Sequence, residues 1–155
     1  MLGGRGSEDG QFQEPHGLWI DACGPEPLLY VADRRNQRFP CFTLDGKLVH
    51  TYYGDFLLPC DLVGDGDRFY VPDLNSRVTI ADSAFRVIGH LGEQPLHWQD
   101  GRWPDIPESE WKDDTFISPH ALCLDRQGNL LVVEWVPRGR ITKWRLQAEQ
   151  QQEQE

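Results

Sequence analysis

Three residues with metal-ligand chemistry follow prolines at matching places in the chain: Pro15-His16, Pro59-Cys60 and Pro119-His120. Each pair stands just before a short apolar run. Neutral imidazole is the commonest metal ligand, and two that converge suit Zn²⁺. His16 and His120 are therefore the candidate metal ligands, and Cys60 is a third ligand if its thiol ionises. The sequence leaves a plainer reading open beside this one. Pro-His can be a recurrent strand opening whose imidazole bonds a neighbouring backbone group, and Cys60 can be a buried thiol. A catalytic zinc takes three protein ligands, one more than the histidines supply. Two further residues are candidates for ligand binding beside them. Trp103 comes from a long insertion, and Glu134, a carboxylate near the axis or a larger framework acid, stands where the other repeats carry Asp33 and Asp73. No residue is assigned a catalytic role, because the chain has no G-x-S-x-G, no H-E-x-x-H and no phosphate-cradling glycine loop. Asp61 and Asp125 form no evident carboxylate dyad, so glycosidase and protease chemistry find no support.

The elements that must position these residues repeat. Leu29-Tyr-Val-Ala-Asp33 recurs as Phe69-Tyr-Val-Pro-Asp73 and as Leu131-Val-Val-Glu134. Asp33-x-x-Asn36-x-Arg38 recurs as Asp73-x-Asn75-x-Arg77, and the third repeat keeps Arg140. Pro15 and Pro59 are 44 residues apart, whereas Pro59 and Pro119 are 60 apart; the excess lies in Glu93–Ile117. Removing that insertion restores a period close to the ~40–45 residues of a four-stranded propeller blade. The runs are short, rich in Val, Ile, Tyr and Phe, and bounded by Asp45-Gly46, Gly64-Asp-Gly-Asp67 and Gln127-Gly-Asn129, which mark hairpins rather than helices.

Strands are predicted at 17–21, 28–32, 38–44 and 47–53, then at 61–63, 68–72, 77–81 and 86–91, then at 121–124, 130–134 and 140–146. The pattern gives the third repeat no fourth strand. The repeated Asp and Arg sit at the turn between second and third strands, where they are expected to cap the turn and pair bidentately as framework. The insertion holds Trp98, Trp103 and Trp111, three indoles that must pack on something. A lid over the mouth, a docking surface and a filler between neighbouring blades all fit it.

Composition closes other classes. Fifteen Lys+Arg against 25 Asp+Glu leave a net charge of −10, which argues against nucleic acid or an anionic membrane surface as partner. No apolar run approaches the ~20 residues that cross a bilayer, and the opening MLGGRGSEDG has no apolar h-region of a secretory signal. Four cysteines without a C-x-x-C pair weaken a structural zinc site and a thioredoxin-like reading, and reduced thiols are expected. The compartment stays open.

Pro-His followed by a strand and then by Tyr30-Val-Ala-Asp-Arg-x-Asn-x-Arg38 resembles the NHL repeat of six-bladed β-propellers over residues 10–146. Within that group, Gly10-Gln-Phe12, Pro15-His16, Val31-Ala-Asp-Arg34 and Cys41-Phe42 look most like peptidyl-hydroxyglycine amidating lyase. The resemblance implies a propeller with a channel zinc held by three histidines, of which His16 and His120 occupy two motif positions. Calcium is implied by the resemblance alone. The third histidine motif and the family's catalytic Arg and Tyr would lie upstream of this segment, and Ala121 stands where the family has a catalytic Asp.

The expected fold is all-β: an NHL-type propeller of three four-stranded blades at about 10–54, 55–92 and 118–146, half of a six-bladed ring. The insertion at 93–117 and a disordered Gln/Glu tail at 147–155 complete the plan. His16, Cys60, His120, Trp103 and Glu134 are expected at the channel mouth, binding a small molecule, peptide or metal. Three blades leave two open flanks, which a missing N-terminal half would cover, or a second copy pairing head to tail into a 3+3 homodimer.

Overall fold

The computed structural model describes residues 3–94, 99 and 101–145; Trp98 and the tail at 147–155 lie outside the described residues. Eleven strands among these residues form three antiparallel meanders. The first sheet runs β1 (Pro15–Asp21), β2 (Leu28–Asp33), β3 (Arg38–Thr43), β4 (Leu48–Tyr53) in spatial order. The second runs β5 (Val63–Gly64), β6 (Arg68–Asp73), β7 (Arg77–Asp82), β8 (Val87–Leu91). The third has three strands among the described residues, β9 (Pro119–Leu124), β10 (Leu130–Glu134) and β11 (Arg140–Trp144).

Period-2 alternation gives each central strand two apolar faces, so each sheet can pack on a neighbour both ways. Between the first and second sheets, Tyr30, Phe39 and Cys41 meet Leu62, Phe69, Val71 and Phe85. Between the second and third, Val63, Tyr70 and Val78 meet Phe116, Leu130 and Val132. Phe116 comes from the insertion, so part of that segment fills the space between sheets.

The Asp-Arg motif works as framework, though not as a bidentate pair. Arg38 uses Nε on Asp33 (3.1 Å) and spends its other nitrogens on the carbonyls of Ser7, Glu8 and Gln11. Arg77 likewise gives Nε to Asp73 (3.3 Å) and its other nitrogens to Glu93 and the Asp55 carbonyl. Arg140 contacts Glu134 through Nε and the Lys112 and Thr115 carbonyls through the rest. A guanidinium has five donors, and spreading them over a loop satisfies it better than a two-point pair while fastening the loop to its sheet.

Candidate metal centre

The inner strands bring Pro15-His16, Pro59-Cys60 and Pro119-His120 together. One ligand atom from each of His16, Cys60 and His120 lies within 4.8 Å of the others. The two imidazoles meet edge to face with ring centroids 4.8 Å apart. A tetrahedral ion with bonds of 2.0–2.3 Å separates its ligands by about 3.3–3.8 Å, so an inward shift of about 1 Å would complete such a geometry.

A device that the spacing of residue types did not reveal aims these side chains. At each site the inner strand carries one residue more than its partner. His16 and Gly17 lie between the pairs Pro15↔Asp33 and Leu18↔Val31, opposite Ala32 alone. His120 is the extra residue between Pro119↔Glu134 and Ala121↔Val133. Cys60–Leu62 lie between the bridge Pro59↔Asp73 and the pair Val63↔Tyr70, opposite two residues, which is why β5 is shorter than predicted. Bulges re-aim side chains and bend the strand.

The framework acids hold the segments that lead into each bulge. Asp33 accepts from the backbone N–H groups of Gln13 and Glu14, Asp73 from that of Leu57, and Glu134 from those of Ile117 and Ser118. The residue after each acid returns a backbone bond: Arg34 N to Glu14 O, Leu74 N to Leu58 O, and Trp135 N to Ser118 O. Glu134 is thereby corrected. Its side chain is fully buried against its own backbone segment and Arg140, so it positions His120 and does not bind at the mouth.

The electrostatics favour ligation. His16 Nδ1 lies 2.7 Å from the Cys60 carbonyl oxygen, which can only accept, so Nδ1 is the donor there and Nε2 is the nitrogen left for a metal. Burial, helped by His16 and Arg34, pushes His120 below its ordinary value, keeping it neutral. Burial pushes the Cys60 thiol up, with Arg34 at 3.6 Å from Sγ pulling the other way. The thiol therefore holds its proton until a cation displaces it. Glu14 bonds both Arg34 (2.5 Å) and Arg35 (3.0 Å), and Arg34 holds its carboxyl below the usual range.

Beside the cluster lies a cavity of about 530 Å³ lined by His16, His120, Arg34, Leu74, Trp103 and Trp135, among others. Trp103 lines this cavity. Its Nε1 donates to the Ile117 carbonyl (3.0 Å), and its ring centroid is 6.3 Å from that of Trp135. Arg34, Leu74 and Trp135 were not singled out as lining. All three follow a framework acid, and that position is the signal that would have found them.

No family model matches the chain, and no curated protein matches it. Solved structures do. Virginiamycin B lyase from Staphylococcus aureus aligns with a TM-score of 0.50 and 13% identity over 87% of this chain and 42% of that one. A streptogramin B lyase aligns with a TM-score of 0.51 and 12% identity over 87% and 41%. The fold is a partial β-propeller. The three sheets are its blades, and the chain spans about two fifths of the length of these two structures. At such identities the likeness is one of fold.

Proposed function

We propose that this chain is an NHL-type propeller that binds a zinc-class divalent ion through His16, His120 and Cys60. A small molecule or peptide end would occupy the adjoining cavity. The reading is supported above all by the convergence of three ligand atoms, from three different blades, at the edge of a cavity of small-molecule size. Two imidazoles and a thiol suit zinc. Among the described residues they are the only such group of three or more, so calcium's preference for oxygen ligands is not met. Bound there, the ion supplies a Lewis acid. Trp103 and Trp135 offer apolar faces to the occupant, and a second cleft of about 370 Å³ shares Pro104 and Trp135 with the first, which suits an elongated one.

The zinc lyase of the amidating type is the second reading, favoured by the placement of His16 and His120 together. Ala121 offers no proton-transfer group where the resemblance expects one, so the binding role stands first.

Metal analysis of the purified protein, together with Co²⁺ substitution, tests the reading. The expected result is one equivalent of metal per site, lost in His16→Ala and His120→Ala. A sulfur-to-cobalt charge-transfer band should vanish in Cys60→Ser. A protein that takes up neither ion stoichiometrically refutes it.

A further inference from the structure

The framework acids of the first two blades have their charge met in different ways. Asp33 accepts from two backbone N–H groups, from Asn36 and from Arg38. Asp73 accepts from the backbone N–H of Leu57 (3.1 Å), from Arg77 (3.3 Å) and from the Thr79 hydroxyl (2.5 Å). Two residues after the framework arginine, the first blade carries Pro40, which has no hydroxyl and is paired with Thr51. In the second blade those two places hold Thr79 and His90. Thr79 Oγ1 is 3.2 Å from His90 Nδ1, and His90 Nε2 is 3.5 Å from Asp55 Oδ2. Four groups therefore form one chain, from the fully buried Asp73 carboxyl to the exposed Asp55.

The direction of that chain is set at its buried end. A hydroxyl has one hydrogen to donate, and so has a neutral imidazole. With Asp73 ionised, Thr79 donates to it, Nδ1 carries the ring hydrogen, and Nε2 turns a bare lone pair on Asp55. With Asp73 protonated, its O–H donates to Thr79 and the hydroxyl donates to Nδ1. The ring hydrogen then sits on Nε2 and bonds Asp55. The other charged or titratable groups facing the chain are Arg77, which contacts Asp73, Asp55 and Glu93, and the Cys60 thiol. Burial raises Asp73 to about 6 and lowers His90, so the carboxyl titrates beside an imidazole that favours its neutral form.

We propose that His90 reads the charge of Asp73 through Thr79 and ties Asp55 to the second blade only when Asp73 is protonated. Asp55 opens the segment in which Leu57 bonds Asp73 and Leu58 lines the cavity, two residues before Cys60. Acid therefore adds a tie to the cavity wall and base removes it. Arg77 on the Asp55 carbonyl (2.6 Å) holds the segment in both states. The switch acts whether or not a metal is bound.

Nitrogen NMR of the His90 ring in the full chain, from about pH 5 to 8, tests it. The expected result is opposite movement, Nε2 losing its hydrogen as Nδ1 gains one, with a midpoint near 6. The Leu58 amide should move with the same midpoint. Thr79→Val should abolish the exchange, and Thr79→Ser, which keeps the hydroxyl, should retain it. Two ring nitrogens that titrate in parallel, as in a free imidazole, overturn the proposal, and so does a tautomer that never changes. Exchange that persists in Thr79→Val overturns it too, as does a Leu58 amide that ignores the His90 transition.

Discussion

Replacing Gly17 by Ala places a methyl group where two blades touch. An ideal Cβ there would sit 2.5 Å from Asp61 Cα and 2.6 Å from the Cys60 carbonyl oxygen. Both atoms are backbone, so no side-chain rotation relieves the overlap. Ordinary carbon contacts begin near ~3.5 Å, which requires β1 and the Cys60–Asp61 segment to separate by about 1 Å. Overpacking of this kind costs about 1–3 kcal/mol, and at this chain length that lowers Tm by roughly 3–10 °C. The same displacement pulls His16 from the carbonyl that orients it, so affinity for Co²⁺ should fall about 10–100-fold, as when an orienting partner of a histidine ligand is removed. Gly89 is the control: it lies in β8, and a Cβ there meets nothing within 4 Å. Gly89→Ala should be neutral or stabilise by up to about 1 kcal/mol. Thermal melts and cobalt titration of the two variants in parallel decide the matter. Equal melting temperatures and equal affinities would refute the close approach of the first two blades.

Asp33→Ala removes the acceptor of two backbone N–H groups, Asn36 and Arg38, and leaves a buried guanidinium without its carboxylate. A loss of about 3–5 kcal/mol in urea unfolding is expected, and a loss under 1 kcal/mol would contradict the framework role. Lys143, with Asn129, holds the Asp125 carboxyl well below its ordinary value of 3.8. Its contribution to stability is therefore full above that value and is lost progressively as the pH falls below it towards the lower folded value. Melting curves between pH 2.5 and 6 should show the wild type losing more stability than Asp125→Asn. Asp73 runs the other way, for burial raises it to about 6. Its folded form holds the proton more tightly, so stability should decline from pH 4 to 6 in the wild type and stay flat there in Asp73→Asn. Bound Co²⁺ should quench tryptophan fluorescence through the nearby indoles, and Trp103→Phe with Trp135→Phe should remove most of that quenching at unchanged affinity.

Much of the architecture was legible because the repeats announce it. Hairpin signals and period-2 runs placed β2, β3, β6 and β10 within one residue of their observed ends, since these central strands pair on both edges and are correspondingly apolar. The inner strands were harder. A bulge is a count of residues against a partner strand, and nothing in Pro59-Cys-Asp-Leu62 declares that two residues will face three. Glu134 left two readings open, a carboxylate near the axis or a larger framework acid, and its longer side chain reaches back to the backbone as Asp33 does. The cavity wall escaped notice for a related reason. Arg34, Leu74 and Trp135 differ so much in chemistry that their common place, one step past each acid, is visible only when the blades are superposed.

That arrangement divides labour within a dipeptide. The first residue of Asp33-Arg34, Asp73-Leu74 and Glu134-Trp135 is spent on support, and the second lines the cavity, held by a backbone bond that does not involve its side chain. Exchanging Arg34, Leu74 or Trp135 would therefore change the shape and charge of that space while leaving the scaffolding bonds intact. The wall of this cavity is variable at three positions that the scaffold leaves free.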